Sequence, residues 1–480
     1  MAITGDDIFF ATAAELNAAW KKGDFSAKEL ASAFLQRLEK LGPEYNALAL
    51  SLRKEALSQA GEVDGERKRE RFRGRLQAVP FGAKDLLAWP KHPTTWGAKP
   101  YATQTFDEPA TVLTKLKGKG GILIGKLAMI ELAGGPSYRY AKASHTGPCK
   151  NPWNPEHWAG GSSSGSGAAV AAGLVPYALG SETSGSILTP ASYCGITGLR
   201  PTYGLVSRAG AMALSWTLDK IGPMARSAED CGIILEAISG GDGKDPGSAG
   251  KSFYFAPQFA KAFGDMTVGY APVDWEEWVD PETRTAFAET LNVFRSLGIK
   301  LKEMELPDFP YGPLVSTVLQ GEAGSIFEDL VESGQVKDLA DDKQIAGLQA
   351  TQELLAKDYL RAMRIRRLVL EAFRDFFYEV DFVIAPSRTG VANKLTDALD
   401  APRPAPPATR KRGLIQHIPA GNLAGLPALS LPCGLVNGLP IGVTLMGRPF
   451  TENALLAAGM EYQKRTDWHK RRPPVAGGSN

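Results

Sequence analysis

Strand-like and helix-like segments alternate along this chain, and that alternation predicts an α/β layered fold. Two further observations support it. AVPFGAKDLL (78–87), GGILIGK (120–126) and DFVIAP (381–386) are short, near-continuous apolar runs, as buried strands are. The 480 residues are 44% hydrophobic and 22% charged, ample material for a large core.

The elements follow in order. Residues 12–40 read as helices. Ser26 and Glu29 form a capping box that opens the second, whose apolar face carries Leu30, Phe34, Leu35 and Leu38. The charge run GERKRERFRG (65–74) reads as a solvated loop or helix face. The strand at 78–87 ends in a turn, a helix spans 109–119, and a second strand follows at 120–126. The Ala/Val/Leu-rich stretch 163–179 reads as a core helix. VGYAP (268–272), an amphipathic helix over 281–296 and IKLKEMELP (299–307) make a β-α-β unit. A helix over 351–379 precedes the strand at 381–386. PRPAPPATRKR (402–412) is Pro-rich and reads as an irregular loop. ALSLPCG and PIGVTLMG are late apolar strands, followed by a helix over 451–465.

Bulk composition excludes several function classes. Fifty-four basic and 52 acidic residues leave a net charge of +2, which argues neither for nucleic acid nor for a membrane surface. Cys149, Cys194, Cys231 and Cys433 are scattered without a CxxC, and the five histidines show no ligand spacing, so neither a disulfide framework nor a metal site is expected. No segment reaches the roughly 18 uninterrupted apolar residues of a spanning helix, and the N-terminus lacks a signal-peptide pattern. The expectation is a cytoplasmic enzyme, monomer or homodimer, acting on a small molecule without cofactor, nucleic acid or membrane.

The densest chemistry lies between Gly160 and Pro201, GGSSSGSGAAVAAGLVPYALGSETSGSILTPASYCGITGLRP. Residues without bulk collect where backbone approaches backbone or where bare N–H groups face a ligand. Ser162 and Ser186 lie 24 positions apart, each inside a Gly/Ser turn. A serine hydroxyl needs a proton acceptor, and no histidine lies in either turn. Lys84, flanked by Val79, Phe81, Ala83, Leu86, Leu87 and Trp89, fits two readings from the residues alone: a neutral, basic amine in an apolar pocket, or a charged lysine paired with Asp85 at a strand end. Rival motifs are weaker. GSSSG (161–165) fits a nucleophile elbow on Ser163, with His417 or His469 as base, but leaves Ser186 and Lys84 idle. GGILIGKL (120–127) has Leu127 where a P-loop needs Ser or Thr. The SxxK matches at Ser51–Lys54 and Ser248–Lys251 fall in a charged helix and a Gly-rich loop.

These segments closely resemble the amidase signature family: GGSS at 160–163, SETSGSI at 181–187, Pro190-Ala191, Cys194-Gly195 and GLRPT at 198–202. The likeness continues through DKIGPMARSAEDC (219–231), NLAGLPALSLPCG (422–434), LPIGVTLMGRPF (439–450) and TDWHKRRPP (466–474). The resemblance implies one three-layer α/β/α domain over 1–480 around a mixed sheet. Within it, 1–75 is a helical N-terminal segment, 76–235 the catalytic core, 236–421 substrate-side insertions and 422–480 the closing strands and helix. It implies Ser186 as nucleophile, Ser162 after a cis peptide as relay, Lys84 as base, and the backbone N–H groups of Thr183, Ser184, Gly185 and Ser186 as oxyanion hole. Segments outside the signature supply the candidate substrate contacts Met129, Gly134, Gly135, Trp216, Leu314 and Gln416. Glu182, Ser184 and Leu188 depart from the Asp, Gly and Arg of the family pattern, which makes the expected wall less cationic. The expected substrate is therefore a neutral, partly apolar amide, anilide or carbamate (urethane). The alternative is the transamidating subunit of a tRNA-dependent amidotransferase. Such subunits usually carry a glutamine-recognising Asp near the position where Ile415 stands. A binding protein without catalysis is disfavoured by the retention of Lys84, Ser162 and Ser186.

Overall fold

A computed structural model describes residues 5–401 and 413–474; the Pro-rich loop expected at 402–412 lies outside the described residues. Among the described residues, thirteen strands occur in chain order: β1 (Leu48–Ser51), β2 (Pro80–Lys84), β3 (Ile122–Leu127), β4 (Lys150–Asn151), β5 (Asn154–Trp158), β6 (Tyr177–Glu182), β7 (Thr197–Arg200), β8 (Lys220–Ala225), β9 (Thr267–Tyr270), β10 (Lys300–Glu303), β11 (Phe382–Pro386), β12 (Ala428–Val436) and β13 (Leu439–Gly447). Eleven make one mixed sheet in the order β1-β3-β2-β6-β8-β7-β12-β13-β11-β9-β10, with helices packed against it; β4 and β5 form a separate hairpin. The architecture is the α/β/α arrangement expected.

Local chemistry accounts for the main elements. Ser26 caps the helix Ala27–Leu41: its hydroxyl accepts from the Glu29 amide, and its own amide donates to the Glu29 carboxylate. Residues 65–74 split between the end of the helix Arg53–Lys68 and a loop. The expected β-α-β unit is present as β9, the helix Arg284–Ser296 and β10, with the two strands parallel. The core helix expected over 163–179 stops at Ala171, and β6 begins within the same stretch. Gly173, at φ +67°, and Pro176 break the helix, so an apolar run that looks continuous serves two elements.

The sheet centre is what positions the site. β2 lies parallel to both β3 and β6, with Ala83 opposite Leu179, so the carboxyl ends of β2 and β6 open at one edge. Ligand sites of α/β sheets form at such edges. The helix Ser164–Ala171 sits against that edge. A Cβ on Gly165 would lie 2.5 Å from the Ala128 amide nitrogen and 2.6 Å from the Ala47 carbonyl, so no larger residue allows this approach. Phe81 of β2 stacks on Tyr177 of β6 with centroids 5.3 Å apart, tying the two strands on their inner face.

Beside Lys84, the buried Asp85 carboxylate lies 2.8 Å from Lys126 Nζ, which also donates to Thr94 Oγ1 at 3.0 Å. Removing one partner of a buried pair strands the other charge. Lys126→Met is expected to cost about 3–5 kcal/mol in urea unfolding, and Lys126→Met/Asp85→Asn to recover most of that loss. Equal stability of Lys126→Met and wild type would show that the pair braces nothing.

Candidate active site

Three segments meet at the open edge of the sheet. Lys84 closes β2, Ser181 and Glu182 close β6, and Ser162 precedes the helix Ser164–Ala171. The Gly161–Ser162 peptide is cis. Lys84 Nζ lies 2.7 Å from Ser162 Oγ and 2.9 Å from Ser181 Oγ, and the lysine is fully buried. Burial lowers its pKa to about 7, against the opposing pull of Asp219 and then Glu182. The amine is therefore a base available near neutrality.

Ser186 stands in the turn between β6 and the helix Leu188–Cys194, 9% exposed. Gly185 beside it has φ +90°, a left-handed conformation that a side chain would strain. The amides of Thr183, Ser184, Gly185 and Ser186 have no hydrogen-bond acceptor among the described residues. Four free donors in one turn can stabilise an oxyanion.

Glu182 holds this turn from behind. One carboxylate oxygen accepts from the amides of Ile187 (2.9 Å) and Leu188 (3.0 Å). The other accepts from Arg200 Nη1 and Asn422 Nδ2, both at 2.9 Å, and no side chain of this group is exposed. Burial pushes the Glu182 carboxyl up, but Arg200, Asn422 and Lys220 outweigh it and hold it at about 2. Asp219 secures the flanking loop by accepting from Thr183 Oγ1 and from the Leu214 and Ser215 amides.

Ser186 opens into a cavity of about 530 Å³. Of the expected substrate contacts, Gly134 and Gly135 line it, as do Thr183 and Ser184. The other four do not. Met129 is packed in the core just beyond β3, and Leu314 faces inward from its helix. Trp216 lines neighbouring cavities, and Gln416 is exposed ahead of the helix His417–Leu423. Leu188 is also off the cavity, fully buried in a core cluster with Leu218 and Ile418, so its departure from the family pattern does not change the wall. Ile415 does not line the cavity either. The wall instead combines Ala133, Trp158, Leu214 and Leu319 with Lys343, Arg388 and Asp400. Ser163, the elbow candidate, is buried with its hydroxyl donating to the Ser181 carbonyl, so it is not presented to a substrate.

Sequence reasoning missed Ser181, Asp219, Arg200, Asn422 and Arg388. Ser181 lies in the Gly/Ser motif itself, two positions beyond the strand partner of Ala83. The others come from distant segments, and only the fold brings them together. Among the described residues, no group of three or more His, Cys, Asp or Glu side chains is placed to hold a metal, and no helix is long and apolar enough to cross a membrane.

Comparison with known proteins places this geometry. The profile of the family described as Amidase matches residues 29–456. A glutamyl-tRNA(Gln) amidotransferase subunit from Methylococcus capsulatus is 36% identical over 489 residues, covering 96% of this chain and 98% of the relative. The solved structure of peptide amidase from Stenotrophomonas maltophilia superposes with a TM-score of 0.84 at 28% identity, covering 98% of this chain and 99% of that one. The corresponding glutamyl-tRNA(Gln) amidotransferase subunit from Thermotoga maritima superposes with a TM-score of 0.80 at 26% identity, covering 99% and 100%. These relatives correct the expectation of a small-molecule enzyme apart from nucleic acid: a full-length relative at 36% identity is named for an amidotransferase of glutamyl-tRNA(Gln). A balanced net charge reports the whole surface and says nothing of a local contact.

The Glu182 clamp generates a test. Glu182→Gln keeps the shape but removes the charge opposite Arg200. It is expected to lower kcat by about a hundredfold through displacement of the turn, with a smaller change in KM. Unchanged kcat in steady-state kinetics would show that Glu182 does not hold the catalytic turn.

Proposed function

The chain belongs to the amidase family, and we propose that it cleaves a C–N acyl bond through an acyl-enzyme on Ser186, as the transamidating subunit of a tRNA-dependent amidotransferase. The observation that carries the chemistry is the buried Lys84 amine between two serine hydroxyls, beside a turn of free amides. A neutral amine has two protons and one lone pair. Donating to Ser181 turns the lone pair toward the Ser162 hydroxyl. As Ser186 Oγ attacks the carbonyl, its proton passes to Ser162 Oγ while the Ser162 proton passes to Lys84. The oxyanion accepts from the 183–186 amides. On collapse, Ser162 gives a proton to the leaving nitrogen and is reprotonated by Lys84. Water then attacks the acyl group with the same relay as base, and Ser186 leaves protonated.

The subunit reading is supported by relatives of that name that match nearly the whole chain at 33–36% identity. A second reading, hydrolysis of partly apolar amides, anilides or carbamates, is supported by Ala133, Trp158, Leu214 and Leu319 in the cavity wall. Two measurements separate them. Affinity purification from the native host is expected to bring down partner subunits and tRNA. A kcat/KM panel of glutamine, aliphatic amides, anilides and N-aryl carbamates is expected to favour glutamine. A chain that purifies alone and prefers anilides or carbamates by about tenfold or more would select the second reading.

Ser186→Ala is expected to reduce turnover by at least about a thousandfold, with a serine-directed phosphonate labelling only the Ser186 peptide of the wild type. Because only the unprotonated amine accepts a proton, kcat/KM is expected to rise with pH through about 7 and then level off. Lys84→Arg is expected to be nearly inactive at every pH, since a guanidinium keeps its proton. Substantial activity in that variant would remove Lys84 from the mechanism.

A further inference from the structure

The charged groups around the Ser186 cavity do not balance. Among the described residues, its lining holds two cations, Lys343 and Arg388, and one carboxylate, Asp400. Asp400 is already shared: one of its oxygens lies 2.7 Å from Lys343 Nζ and 3.3 Å from Arg139 Nε. That leaves Arg388 without an ion pair or hydrogen bond among the described residues, and its Nε is shut off from solvent with no acceptor. Two residues beyond β11, Arg388 lies close enough to Tyr138 and His417 for its charge to act downward on the pKa of both groups. Neither offers it an anion. His417 is kept neutral near pH 7, chiefly by burial, and Tyr138 keeps its proton because burial outweighs the pull of Arg388. The cost of holding a guanidinium half-buried and unpaired is recovered when a ligand brings the missing charge.

We infer that Arg388 is a specificity-determining residue that receives a carboxylate of the substrate, so that the preferred amides carry an anionic group beside the scissile bond. A planar guanidinium pairs with a carboxylate through two parallel hydrogen bonds, which fixes orientation as well as affinity. The inference rests on the acyl-enzyme reading of Ser186, and it replaces the neutral, apolar substrate expected from the sequence. It assigns Arg388 a binding role and no proton transfer.

Two matched substrate pairs test it and tell which side of the bond bears the anion. On the acyl side, 5-amino-5-oxopentanoate is compared with pentanamide. On the leaving-group side, 4-acetamidobenzoate is compared with acetanilide. In the wild type, the anionic member of at least one pair is expected to be preferred about ten- to a hundredfold in kcat/KM, mainly through KM. Arg388→Gln is expected to collapse that ratio to about one, and Arg388→Lys to keep an intermediate ratio, since a point charge remains without the fork. Glutarate is expected to slow phosphonate labelling of Ser186 in the wild type and not in Arg388→Gln, a readout that needs no turnover. If neither pair favours its anion, or the ratio survives Arg388→Gln, the inference is overturned while the acyl-enzyme stands. If no substrate turns over and the phosphonate leaves Ser186 unlabelled, the reading beneath it falls, and the inference with it.

Discussion

An amine kept out of water is the constraint on which the rest of this structure depends. Lys84 is fully buried at the end of a central strand, between two serine hydroxyls. Burial alone would drive its pKa well down, and an adjacent free carboxylate would pin the proton on it. The surroundings steer between these limits by giving each nearby acid its own partners. Asp85 pairs with Lys126, Glu182 with Arg200 and Asn422, and Asp219 with Thr183 and two backbone amides. What reaches Lys84 from Asp219 and Glu182 is a residual pull that leaves the amine balanced near neutrality. The ion pairs of the core thus serve the chemistry as well as the fold.

The catalytic centre and the cavity wall are built differently. The centre stands on sheet ends and helix starts, where neighbouring strands over-determine each position. One part of the wall comes from a loop in which Leu132, Ala133, Gly134 and Gly135 all have positive φ, from 49° to 105°. Such a run is costly for Leu and Ala and persists only where the surroundings hold it. The buried Glu131 carboxylate does so by accepting from the Ala340 and Asp341 amides, and Asp341 in turn accepts from the Arg139 and Tyr140 amides. The loop at 131–140 is thus braced by the segment at 340–344, and neither belongs to the Gly/Ser signature.

That division explains what was legible in the sequence. Ser162 and Ser186 stand out through the small residues around them, whereas Lys84 is singled out by the family resemblance, since its apolar neighbours also fit a strand-end ion pair with Asp85. The alternation of buried runs likewise showed the layered fold. Long-range pairings left no local trace. Arg200 lies 18 residues beyond Glu182 and Asn422 lies 240 beyond it, and neither looks catalytic in its own segment. The substrate wall was the least legible part. Leu188 and Ile415 suggested an apolar pocket, but neither lines the cavity, whereas Arg388 does and stands in a segment with no motif.

The most direct test of this account is the titration of Lys84 itself. Nitrogen-15 NMR of the lysine Nζ, assigned by comparison with Lys84→Met, is expected to show one resonance titrating near pH 7, well apart from the surface lysines. A Lys84 that stays protonated to about pH 10 would contradict the account, because the proton acceptor on which every step depends would be missing at neutrality.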